Sequence, residues 1–192
     1  MADARVDICN RGLGRLGAAQ IASFNEPSNE AFQCRQFYDP DREEVLQSHP
    51  WNFATSTQEL SQTANTPPDY NYEYALPTDC LHVLEIVSSE VAEPIGFEVR
   101  EDRTLVCDEQ EVTIKYIKNV TDPSKFSKLF ISALTYRLAA DLAMPLTGNI
   151  AYQQSNMQMY NAMVIPAQGS DAREGKKDET SWIGQSLIDA RS

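Results

Sequence analysis

The chain has 192 residues, 42% hydrophobic and 9% aromatic, enough for one medium core or two small ones and too apolar for a disordered chain. Acidic residues outnumber basic ones 28 to 16, a formal net charge of -12. That balance excludes holding DNA or RNA through phosphate contacts, which need clustered Lys and Arg.

The first ten residues, "MADARVDICN", hold no apolar segment of the signal-peptide kind, and no apolar run approaches the ~20 residues of a bilayer span. Val6, Cys9, Leu13 and Leu16 then recur at spacings of three and four, one stripe of a short helix. Asp3 suits its N-cap and Gly17 its end. "GLGRLG" has the letters of a dinucleotide loop but lies inside this stripe with no strand before it. Its glycines are expected to let helices pack closely.

Ser28 is placed to cap a second helix with the stripe Ala31, Cys34, Tyr38 and Val45. Pro40 is expected to kink or restart it, and Pro50 to stop it. Asp39, Asp41, Glu43 and Glu44 read as its solvated face. His49 is expected to act as a cation or donor near the last carbonyls of that helix. "HPW" is then the point where the helical part hands over to strands.

From Trp51 to about Ile117 the period is two. Tyr70, Tyr72 and Tyr74 alternate in "YNYEYALP", and "LHVLEIV" is β-branched and apolar. "IGFEVRED" and "RTLVCDE" predict a hairpin about Glu101-Asp102. "EVTIKYIK" alternates Val112, Ile114 and Tyr116. Helix returns with Pro123 in its first turn. The face Phe126, Leu129, Phe130, Ala133 and Leu134 runs into "LTYRLAADLAM", apolar nearly all round, predicting a central helix. Pro145 is expected to end it, and Asn149 to cap a last long helix with the stripe Ile150, Met157, Tyr160, Val164 and Ala167. Pro166 is expected to kink or end that one.

The four cysteines, at 9, 34, 80 and 107, form no CxxC pair and read as reduced, buried thiols. Cys80 and His82 make a metal half-site at most, since zinc needs three or four ligands. Neither His49 nor His82 stands with a framed nucleophile. No cofactor and no enzyme activity are expected.

The fold class predicted is therefore α+β. Residues 1–50 and 122–168 form a helical bundle, 51–121 an inserted small antiparallel β domain, and 169–192 an extended C-terminal tail. The tail begins polar, "GSDAREGKKDET", and then carries Trp182, Ile183, Leu187 and Ile188. Apolar groups at the end of a polar arm predict docking on a partner.

Four stretches, "ICNRGLGRLGAAQIASF", "FYDPDREEVLQSHPWNFA", "YALPTDCLHVLEI" and "LFISALTYRLAADLAMPLTGN", resemble the tail tubular protein A family, the head-to-tail adaptors of short-tailed phages. The second is the most specific. The resemblance implies a non-enzymatic dodecameric ring made in the host cytoplasm and built into the virion. It would sit between the portal protein and the tail nozzle protein, with DNA passing through its axis without specific binding and no membrane involved. It implies a C-terminal segment docking on the portal, which gives Trp182, Ile183, Leu187 and Ile188 their expected place on the portal or a neighbouring subunit. In a ring around DNA, a charge of -12 per subunit predicts an acidic lumen, with Asp41, Glu43 and Glu44 as expected contributors. The alternatives are a small metal-binding or enzymatic domain using Cys80 and His82, and a monomeric protein-binding module.

Overall fold

Asp3 opens the first helix, α1 (Ala4–Leu16), by accepting from the backbone N–H of Arg5 at 3.0 Å. Gly17 closes it at φ 68°, a left-handed position that a Cβ would strain. The computed structural model describes residues 3–87 and 95–174, with side chains described as far as Val164. Ser28 caps α2 (Asn29–Gln47) through a 3.2 Å bond from Ala31 N–H.

α2 runs through Pro40 without a restart. A mid-helix proline costs about 3 kcal/mol. Here the cost is offset by an unbroken buried face of Ala31, Cys34, Tyr38, Asp41, Arg42, Val45 and Leu46. The expected stripe is present, and Asp41 occupies the slot between Tyr38 and Val45.

Two three-stranded antiparallel sheets follow. The first has the order β1 (Thr55–Glu59), β6 (Thr113–Lys118), β3 (Cys80–Val87). The second has the order β2 (Tyr72–Ala75), β5 (Thr104–Cys107), β4 (Glu98–Val99). The hairpin predicted at Glu101-Asp102 joins β4 to β5, with Arg103 at φ 62° in its turn. β3 departs from period two. Its register slips at Cys80/His82 and again at Val83/Glu85. Each slip adds one residue, so the inward positions are Cys80, Val83 and Ile86, three apart. These side chains meet Tyr74, Leu105, Cys107, Val112, Ile114 and Tyr116 in a core between the two sheets.

The helical core is separate in composition and centred on α3 (Lys128–Thr147), which packs against α1, α2 and α4 (Ile150–Glu174). α3 starts later than its proline suggests. Pro123–Lys125 form a 3-10 turn capped by Asp122, Phe126 is extended, and Ser127 caps the helix proper by accepting from Phe130 N–H. At the other end Pro145 sits inside the last turn, and Gly148, at φ 64°, makes the stop. By length and composition α3 could also cross a bilayer. Its Phe130, Leu134, Leu138 and Leu142 are all buried against neighbouring elements.

Asn149 does start α4, its Oδ1 accepting from Ala151 N–H at 2.9 Å. Met157, Tyr160 and Val164 face the core, whereas Ile150 is 58% exposed at the first turn. α4 continues past Pro166 to Glu174, beyond the expected start of the tail at 169. Good helix formers follow that proline (Ala167, Gln168, Ala172, Arg173, Glu174), so propagation resumes beyond it.

Candidate functional site

The chain enters the β region at Ala54 and leaves it at Lys118, and these two points are bonded, Lys118 N–H to Ala54 O at 2.7 Å. Next to them Asn119 N–H donates to Asp79 O, just before β3. Three passages of chain thus converge where the sheets meet the helices.

"HPW" forms the hinge side of this joint. Trp51 is fully buried, and its Nε1–H donates to Val45 O at 2.8 Å. Ser48 Oγ donates to the same carbonyl. Trp51 and Ser48 thus both donate to a carbonyl in the last turn of α2. His49 is itself buried, edge-on to Trp51 with centroids 5.1 Å apart. Trp51 also stands edge-on to Phe130, which meets Phe53 and Phe126 edge-on in turn. This aromatic cluster locks the exit of α2 to the start of α3.

The other side is polar. Arg42 is buried, and its guanidinium donates to Asp39, to Glu43 Oε1 at 3.1 Å and to Asn119 Oδ1 at 3.0 Å. Asn119 Nδ2 returns a 2.9 Å bond to the same Glu43 oxygen. Asn119 thus latches the end of β6 to α2.

The acids expected to face a channel are placed differently from a solvated row. Asp41 is 2% exposed and points into the bundle, which corrects its reading as a surface carboxylate. Helical phase is the reason, because position 41 falls on the Tyr38–Val45 side. Glu43 is held by Arg42 and Asn119. Glu44, its side chain 55% exposed, is paired with Arg137 of α3 at 2.8 Å. Arg137 also binds Asp141 at 2.9 Å.

Burial first, then the neighbouring Asp141 carboxyl with which it shares a hydrogen bond, push Asp41 from 3.8 up to about 8. Asp41 is accordingly largely protonated at neutral pH. Tyr160 of α4 closes the same pocket of charge, its hydroxyl driven upward by burial. The i,i+4 spacing of Arg137 and Asp141 was a usable sequence signal for this cluster. Nothing local marks Asp41 as its partner.

Cys80 is buried and His82 exposed, with a register slip between them. Among the described residues there is no group of three His, Cys, Asp or Glu that could hold a metal ion. All four cysteines are free and buried. A hydrogen bond to Cys34, together with burial, holds the Cys9 thiol far above its usual range. Within "GLGRLG", Gly12 lies against α3, where a Cβ would stand 3.5 Å from Thr135 O, so the close packing expected there is realised at that glycine. Trp182, Ile183, Leu187 and Ile188 lie outside the described residues. No family model matches the chain, and no curated protein matches it.

Proposed function

We propose that this protein is a structural subunit of a virion, an adaptor ring that joins a portal to a tail nozzle and surrounds the DNA channel at the head-tail junction. The observation that carries the reading is the stretch "FYDPDREEVLQSHPWNFA", its most specific likeness to the tail tubular protein A family. In the fold this stretch is the second half of α2 and the α2 side of the joint, with Arg42, Glu43, Val45 and Trp51 as its fastening points. A connector between two rings needs two bodies held at a fixed angle, and those residues supply that. Met144, Ile150, Tyr152 and Met159 are large apolar side chains exposed on α3 and α4, a supply of contact surface for neighbours. The net charge of -12 favours a lumen that repels the duplex, felt within about 8 Å at physiological salt.

The partners under this reading are the portal protein, the nozzle protein and further copies of this chain, twelve in the ring. The test is mass in solution with and without the portal protein, with negative-stain imaging of the mixture. Rings of this chain seated on the portal are expected. A chain that stays monomeric in the presence of the portal refutes the reading and favours a single-copy binding module.

A further inference from the structure

We propose that the cleft between β3 and the β4–β5 hairpin receives the acidic turn Asp108–Glu111 of a neighbouring copy of this chain. The inference rests on the ring reading and names the contact that would close the ring. The cleft has a volume of about 460 Å³, with Leu81, Phe97 and Val99 among its apolar lining. β3 and β4 are outermost strands of their sheets among the described residues, so the cleft opens between two sheet edges.

Among the described residues its charged lining is Arg100 and Arg103, with the His82 imidazole beside them and no carboxylate. In a chain with 28 acidic residues against 16 basic ones, that is the reverse of the average surface. Arg103 is committed to the fold, its Nη2 donating to the carbonyls of Pro77, Thr78 and Cys80. Among the described residues the Arg100 guanidinium has a long contact to Asp69 at 4.0 Å, and Asp69 is 78% exposed. Asp102, in the hairpin turn, is occupied by Thr104 at 2.6 Å. Arg100 and the exposed His82 are therefore the groups open to an incoming anion.

The complementary surface is on the same module. β5 starts beside Arg103 and ends at Cys107, after which Asp108, Glu109, Gln110 and Glu111 are all exposed. Tyr74 fixes this turn by donating its hydroxyl to the carbonyls of Glu109 and Gln110. Asp108 is partly used by Asn71 N–H, which leaves Glu109 and Glu111 facing outward. Cleft and turn lie at opposite ends of β5, roughly 13 Å apart at about 3.3 Å per residue, and on one rigid module. They cannot meet within a chain, and they can meet between copies. Two different patches joined head to tail make a heterologous contact, the kind that closes into a ring when the rotation permits. Opposite potentials set its register and exclude wrong pairings.

The experiment uses the full chain, alone and with portal protein, read by native mass spectrometry and sedimentation. The variants are Arg100→Glu, Glu111→Arg and the two together, each checked for an unchanged melting temperature. Each single reversal is expected to weaken self-association by at least about tenfold, and the double reversal to restore it, because the pair is re-formed with its signs exchanged. If Arg100→Glu melts early, His82→Glu, at an exposed strand position, is read in its place. Rings that form in the wild type and equally in the single reversals overturn the cleft assignment while leaving the ring reading standing. A double reversal no better than the singles overturns it as well. A wild type that never assembles overturns both.

Discussion

Replacing Asp41 with Asn isolates the buried carboxyl pair between α2 and α3. Asp41 titrates at 3.8 as a free carboxyl and at about 8 in the fold. Between those values the folded chain holds a proton that the unfolded chain has released. Stability then falls as pH rises, by at most about 1.4 kcal/mol per pH unit for one proton. From pH 5 to pH 8 the loss approaches about 4 kcal/mol, and below pH 4 it vanishes because both states are protonated. An Asn amide fills nearly the same volume, stays neutral and carries no titrating proton. Asp41→Asn should therefore match the wild type at pH 5 within about 1 kcal/mol and exceed it by roughly 3 kcal/mol at pH 8. Urea denaturation followed by far-UV circular dichroism at pH 5, 6.5 and 8 measures this directly. The difference between the two proteins cancels the contributions of groups that behave alike in both. Parallel stability curves for the two proteins would show that Asp41 ionises as a surface acid, and the account of the cluster would fail.

Deleting residues 180–192 should leave the melting temperature nearly unchanged while assembly onto the portal is lost; an unfolded bundle with intact portal binding would make the tail part of the core. Trp51→Phe should cost about 1–3 kcal/mol by denaturant titration, from lost packing and the Val45 bond, and an unaffected midpoint would deny the joint its role. Gly14→Ala, in an open helical position, should stabilise by about 0.5–1 kcal/mol, whereas Gly17→Ala, at φ 68°, should destabilise by a similar amount or more. Equal effects at the two sites would contradict the cap. Replacing both Cys80 and His82 with Ala should leave metal content at background by mass spectrometry, and stoichiometric zinc lost in that variant would overturn the packing role given to them.

Caps were the most legible part of the fold, because Asp3, Gly17, Ser28 and Asn149 act through neighbours one to three residues away. The order of helices and strands was legible for the same reason, period against period. What escaped was set by distant chain. Asp41 reads as polar and therefore outward, and only the arrival of Asp141 and Arg137 from α3 makes a buried acid tolerable there. Pro40 reads as a break until the buried face of α2 is seen to continue across it. The slips in β3 follow from pairing with β6, which no local pattern of "CLHVLEIV" records. Of the site residues, Glu43 and Glu44 were found as charges but not as fasteners, and Asn119 was passed over because its partners Arg42 and Glu43 are far away in sequence.

The bond between Lys118 and Ala54 bears on the order in which the chain folds. Helices α2 and α3 must find each other across residues 48–127. If that stretch were a loose loop, bringing its ends together would cost about 4 kcal/mol of chain entropy. A folded β module holds those ends side by side before the helices meet, so most of that penalty is met by strand pairing. Helical packing should then follow module formation in time. A lesion deep in the sandwich, at Tyr116 or Ile114, should slow folding of helices it never touches, and the whole chain should unfold as one cooperative unit.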